Sequence, residues 1–109
     1  MLKPLMWSLL VVGVVSAPQR GQTFTGVITD SECAVAGHAS MRMGPTDADC
    51  TRLCVMVHAA SYVLHDGKSV YRLSDQETPE RFAAQKVKVV GTMDPKTSTI
   101  RVESIVAAE

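Results

Sequence analysis

Apolar and polar positions alternate along most of this chain with the period of two that a half-buried strand requires, and the alternation lapses over one stretch. Residues 23–30 (TFTGVITD) place Phe24, Gly26 and Ile28 on one face and Thr25, Val27 and Thr29 on the other, which predicts a strand. Residues 62–65 (YVLH) and 69–73 (SVYRL) flank Asp66-Gly67, and Asp-Gly between two β-rich runs predicts a hairpin. A second hairpin is predicted from residues 86–93 (KVKVVGTM) and 99–106 (TIRVESIV) around the turn at 94–98. In its first arm Val87, Val89 and Gly91 alternate with charged or small neighbours; in its second, Ile100, Val102 and Ser104 do so until Ile105 breaks the register.

The lapse runs from residue 31 to 45, which has no clean period and contains Gly37, Gly44 and Pro45, so it reads as a loop. Thr46-Asp47-Ala48-Asp49 then has the form of a capping box, and a helix is expected from residue 47 to about 60. Positions four apart differ by only ~40° around a helix, so Cys50, Cys54 and His58 share one face. Leu53, Val57 and Ala60 form an adjoining stripe expected to dock on the sheet. A second short helix is expected from Thr78, as its cap, with Pro79 at the first helical position, to near Gln85.

The order is therefore strand, loop and helix, strand, strand, short helix, strand, strand. That predicts a mainly β domain, a small five-stranded barrel resembling the oligonucleotide/oligosaccharide-binding (OB) type, with a cysteine-bearing loop and helix inserted after strand 1 and a short helix between strands 3 and 4. Gly26 and Gly91 suit the tight bends of so small a barrel.

Ahead of this domain, Lys3 precedes an uninterrupted run of apolar and small residues at 5–15 (LMWSLLVVGVV) that ends at Ser16-Ala17, the pattern of a signal peptide. The run is shorter than the ~20 residues of a comfortable membrane span, so no span is expected after cleavage. The expected divisions are a signal peptide at 1–16, a flexible lead at 17–22 and a single domain at 23–109, exported to the periplasm or secreted. A chain of 109 residues with 11 basic and 11 acidic side chains, interleaved rather than clustered, lacks the basic track that holds phosphates, which excludes nucleic acid as a partner. Beyond the leader only Phe24, Tyr62, Tyr71 and Phe82 are aromatic, too few for a stacking platform.

Chemistry is concentrated in the lapse and the helix after it: Cys33-x4-His38 followed by Cys50-x3-Cys54. Two uses of these residues stay open. In an oxidising compartment Cys33 pairs with Cys50 or Cys54 and staples the loop to the helix, leaving one thiol over. Alternatively Cys33, His38, Cys50 and Cys54 form a Cys3His shell that suits Zn2+, or Cu(I), for which the thioethers of Met41 and Met43 are further soft ligands. A thiol-disulfide redox protein of the cell envelope is the competing class, since Cys50 falls near a helix N-terminus, although the C-x2-C spacing usual for that role is absent. No catalytic residue is assigned, and the chain reads as a binding or scaffold domain for an envelope or extracellular ligand rather than an enzyme. A Cys–His hydrolase built on Cys54 with His58 or His38 lacks any segment suggesting an oxyanion hole. Asp30 with Glu32 and Asp47 with Asp49 are adjacent carboxylates expected to flank a strand end and to cap a helix. His58 is expected to face water at the helix end, and His65 to be exposed beside its turn.

Asp30-Ser31-Glu32-Cys33, His38, Cys50 with Cys54, Tyr62, residues 87–94 and residues 100–105 together resemble small exported bacterial domains of unknown function with a predicted barrel of this type. The resemblance implies export and an all-β core, and supplies no activity. Where such domains often have Gly at the helix end, this chain has His58-Ala59-Ala60-Ser61.

Overall fold

The computed structural model describes residues 21–40 and 42–109. The expected signal peptide, most of the expected lead and Met41 lie outside the described residues. The strands are β1 (Gln22–Asp30), β2 (Tyr62–His65), β3 (Val70–Leu73), β4 (Lys86–Asp94) and β5 (Thr99–Ala107). Between β1 and β2 lie the helices α1 (Cys33–Ala36) and α2 (Asp47–His58), and between β3 and β4 a 3-10 helix, Thr78–Phe82. Gln22 belongs to β1 rather than to the lead, pairing with Gly91.

The five strands close into a ring in the order β1-β2-β3-β5-β4. All neighbours are antiparallel except β3 and β5, which run parallel. Closure depends on β1 serving two partners: residues 22–27 pair with β4 and residues 27–30 with β2. The change of partner needs Gly26, because a Cβ there would lie 2.6 Å from the His65 carbonyl oxygen. Where β1 leaves β4, Ile28 takes its backbone bonds from the segment after the 3-10 helix, donating to the Gln85 carbonyl (3.1 Å) and accepting from Ala84 N (2.8 Å).

A second irregularity accounts for the break at Ile105. Val90 faces Ser104 but Gly91 faces Val102, so Glu103 is an extra residue on β5. The bulge returns Ile105 to the interior, where it is 6 % exposed. Gly91 stands at this shift, and a Cβ on it would collide with the Arg101 carbonyl oxygen. The enclosed core is Ile28, Tyr62, Leu64, Leu73, Val87, Val89, Ile100 and Ile105. Full burial of each large aliphatic contributes about 1.5–3 kcal/mol before entropy is counted.

The short helix differs from its expectation in type and cap. It is 3-10, ends at Phe82, and is started by Asp75, whose Oδ1 accepts from Glu77 N (2.9 Å) and Thr78 N (3.1 Å). Thr78 therefore lies inside the turn instead of capping it; a carboxylate satisfies two amides at once where a hydroxyl reaches one.

α2 begins as expected, with Thr46 Oγ1 accepting from Asp49 N at 3.1 Å. Its docking face differs. Cys50, Thr51 and Cys54 are the buried residues, with Val55 packed against the core beneath, while Val57 is 62 % exposed. Cysteine behaves as a small hydrophobe, and the cysteine face turns inward because Cys33 approaches it from β1. The helix ends at His58 through Ala59, held at φ 55°, with Ala60 N donating to the Cys54 carbonyl (3.2 Å). That left-handed position explains why glycine would be at home here.

Candidate metal centre

The residues between β1 and β2 are pinched off at their base by Ser31 and Ser61. Ser31 N donates to the Ser61 carbonyl (2.9 Å), and Ser61 N donates to Ser31 Oγ (3.0 Å). Immediately above this clasp, Asp30 Oδ2 accepts from the amides of Glu32 (3.1 Å) and Cys33 (3.0 Å). An Asx turn of this kind bends the chain out of the strand and into a helical turn. Cys33, expected in a loop, is thus the first residue of α1, where backbone bonding holds it. Opposite it, the capped first turn of α2 presents Cys50 and, one turn on, Cys54, both completely buried.

Cys33 Sγ lies 3.6 Å from Cys50 Sγ. The structure shows no disulfide among the three cysteines; in a disulfide the sulfurs would stand at ~2.05 Å. Two thiolates on one tetrahedral ion, with Zn–S near 2.3 Å, stand ~3.7 Å apart, close to the observed spacing. Around this pair the donors fall into two overlapping groups. Single donor atoms of Cys33, His38 and Cys50 lie within 4.8 Å of one another, and so do those of Asp30, Cys33 and Cys54. Met43 closes the far side: its amide donates to Cys50 Sγ (3.3 Å), and its Sδ is 3.9 Å from Cys54 Sγ.

The four residues expected from the sequence do come together, then, but not as one quartet; Cys33 is common to two triads. Asp30 is the residue that sequence reasoning missed. Its place in Asp-Ser-x-Cys was visible, yet only the fold shows that the end of β1 is buried at this point. Asp30 is 0 % exposed and its Oδ1 has no hydrogen-bond partner. His38 is half-buried, with Nε2 3.5 Å from Thr29 Oγ1 and Nδ1 buried without a partner. Unsatisfied buried polar atoms are uncommon and costly, and three of them, with Thr51 Oγ1, occur on the elements that form this centre.

Electrostatically the site disfavours bare thiolates. Burial first, then the hydrogen bond to Asp30 and the proximity of Cys50, push the Cys33 thiol far above its ordinary value. Burial, with the Asp30 charge beside it, raises Cys54 as well. A nucleophilic cysteine needs the opposite shift.

The remaining candidates lie elsewhere. His58 is exposed, as anticipated. His65 is half-buried rather than exposed, and its Nδ1 accepts from Gly67 N (3.0 Å) to support the Asp-Gly turn. Asp47 pairs with Arg42 (3.0 Å) on the surface of α2. A cavity of about 460 Å3 opens beside the cluster, lined among others by Thr29, Cys33, Gly37, His38 and His65. It reaches the Cys33–His38 side of the centre from solvent.

Residues 55–108 match the family model described as "Protein of unknown function (DUF5818)". The match begins inside α2 and runs through β5, so it contains Tyr62 and both arms of the second hairpin but none of Asp30, Cys33, His38, Cys50 and Cys54. No curated protein and no solved structure matches the chain.

Proposed function

Since residues 55–108 match the model of a family of unknown function and the donor cluster lies upstream of them, we propose that this chain is a small exported binding domain that holds a soft metal ion between β1, α1 and α2. The observation that carries the reading is the Cys33–Cys50 sulfur pair at 3.6 Å with His38 and Asp30 donors beside it, a set of hard-to-bury groups that a cation would satisfy together. Cys33, His38, Cys50 and Cys54 are the ligands, with the Asp30 carboxylate as a further donor. Thiolate with imidazole suits zinc; Met43 Sδ beside Cys54 keeps Cu(I) in the same class. The bound ion would fasten the insertion to the sheet, a role that small domains with modest cores commonly give to a metal.

The strand order β1-β2-β3-β5-β4, the parallel β3–β5 pair and the 3-10 helix between β3 and β4 support reading the closed sheet as an OB-type barrel. The raised thiols of Cys33 and Cys54 count against the thiol redox alternative.

The test is metal uptake. Reduced full-length protein, exposed separately to Zn2+ and to Cu(I) and freed of excess, is assayed by elemental analysis and by Co2+ substitution. Retained metal with intense thiolate-to-cobalt charge transfer, reduced in Cys33→Ser and in Cys50→Ser, is expected. Absence of stoichiometric metal in the folded, reduced wild type would overturn the proposal.

A further inference from the structure

Resting on the soft-metal reading, we propose that the cluster is built for two ions rather than one: a pair of divalent cations of the zinc class bridged by the Cys33 thiolate. Cys33, His38 and Cys50 surround one ion, and Asp30, Cys33 and Cys54 the other. Three observations lead to this arrangement. The donors form two triads with Cys33 in common, and a thiolate sulfur has lone pairs enough to donate to two soft ions at once. Metal ions sharing a ligand lie ~3.5–4 Å apart, a separation that Cys33 at the centre of both groups accommodates.

The second observation is charge. Three thiolates and the Asp30 carboxylate supply four negative charges, and His38 supplies none. Asp30 is fully buried and makes no ion pair among the described residues, where Arg42–Asp47 is the pair formed. One divalent ion on the full donor set would leave two negative charges in the interior, whereas two divalent ions neutralise it. Uncompensated buried charge is what folded proteins avoid most strictly.

The third is the unpartnered Asp30 Oδ1. Oδ2 accepts from the Glu32 and Cys33 amides, while Oδ1, on a carboxylate beside the Cys33 thiol, is buried without a hydrogen-bond partner of its own. A carboxylate fixed through one oxygen and idle at the other is oriented in the manner of a ligand awaiting a cation, because the amide bonds set its rotamer. Each ion receives three protein donors, so each keeps a fourth position. On the His38 side that position faces the cavity of about 460 Å3 and admits water or a small anion, as in open zinc sites. On the Asp30 side burial leaves room for less exchange.

The experiment is a zinc titration of the reduced full-length chain followed by native mass spectrometry and elemental analysis. Two zinc ions per chain at saturation are expected, with Asp30→Asn and Cys54→Ser each retaining one while their circular dichroism is unchanged. Cys33→Ser is expected to lose both, and if it fails to fold the two outer variants still decide. Saturation of the wild type at one ion, or an Asp30→Asn variant that still takes two, overturns the pair while leaving the single-ion reading standing. Uptake of neither zinc nor, in a parallel titration, Cu(I) overturns both, and uptake of Cu(I) with no zinc overturns the divalent pair alone.

Discussion

The closed sheet and the segment inserted between β1 and β2 are stabilised in opposite ways. The sheet encloses eight buried apolar side chains and leaves its backbone paired around the ring. The insertion has a core of Cys33, Cys50 and Cys54 alone, with Met43 and Ala60 at its edge. Three small side chains bury little area, and Asp30 and His38 beside them carry polar atoms with no protein partner. The sheet is complete as a hydrocarbon core, whereas the insertion, on the function proposed above, is completed by a metal ion. The same division separates the family-matched residues 55–108 from the cluster upstream of them.

The comparison breaks most readily at the sheet. Ile100→Ala removes a fully buried side chain from its centre and is expected to cost about 2–5 kcal/mol, lowering the urea midpoint equally with and without metal. A loss that depended on metal would show that the two regions do not divide the stability as described.

Metal removal acts on the other side. At zinc a hundredfold above its dissociation constant, linkage stabilises the fold by about 2.7 kcal/mol, and a chelator abolishes this increment. In Cys33→Ser no increment should exist. Hydrogen exchange should then place the loosening in α2, with the amides of β4 and β5 unaffected, and uniform loss across the sheet would contradict the localisation.

The two regions also differ in the pH edge at which each weakens. In the metal-free, reduced chain, Cys33 and Cys54 are raised above the thiol value of 9.0. Their stabilisation is fully present below that value and is lost as pH rises through the folded values, because the unfolded chain ionises first. The sheet side has the reverse sign. The Thr78 hydroxyl and the backbone amides of Thr78 and Glu77 hold Asp75 below 3.8, and the amides of Ser69 and Lys68 do the same for Asp66. Their contribution is present above 3.8 and is lost as pH falls through the lower folded values. Urea midpoints from pH 3 to 10 should therefore show an alkaline decline that Cys33→Ser/Cys54→Ser lessens and an acid decline that Asp75→Asn lessens. Both being exposed or nearly so, the two aspartates give the weaker edge.

The smallest effect is expected at the junction. Ala59 occupies a left-handed conformation at φ 55° that costs an L residue free energy, so Ala59→Gly should stabilise the chain by about 0.5–1 kcal/mol in thermal melts. An unchanged or lower melting temperature would mean that the helix end is held by something other than local backbone preference.

The sheet was largely legible from sequence because period-two alternation survives wherever one face is buried: residues 62–65 are β2 as read, and the Asp-Gly turn is in place. What alternation could not show was the bulge at Glu103, which appears in sequence only as Ile105 falling out of phase. The insertion was less legible. Helical spacing put Cys50 and Cys54 on one face, but spacing cannot say which face turns inward: of the Leu53, Val57 and Ala60 stripe, Val57 is exposed and Ala60 packs on the cysteines, which take the centre of the buried face. Asp30 escaped notice for a related reason. A carboxylate at a strand end is ordinarily solvated, and only closure of the ring beneath α1 and α2 buries it.

Whether cations complete the insertion is tested most directly by counting zinc against accessible thiols in one sample. Full-length protein, reduced, zinc-loaded and desalted, is treated with an alkylating reagent and weighed under native and denaturing conditions. Zinc retained in the native ion, with Cys33, Cys50 and Cys54 unmodified until a chelator is added, is the predicted result. A metal-free chain whose thiols alkylate freely on unfolding, or one lighter by two hydrogens through a Cys33–Cys50 bond that reforms in the presence of zinc, would contradict it.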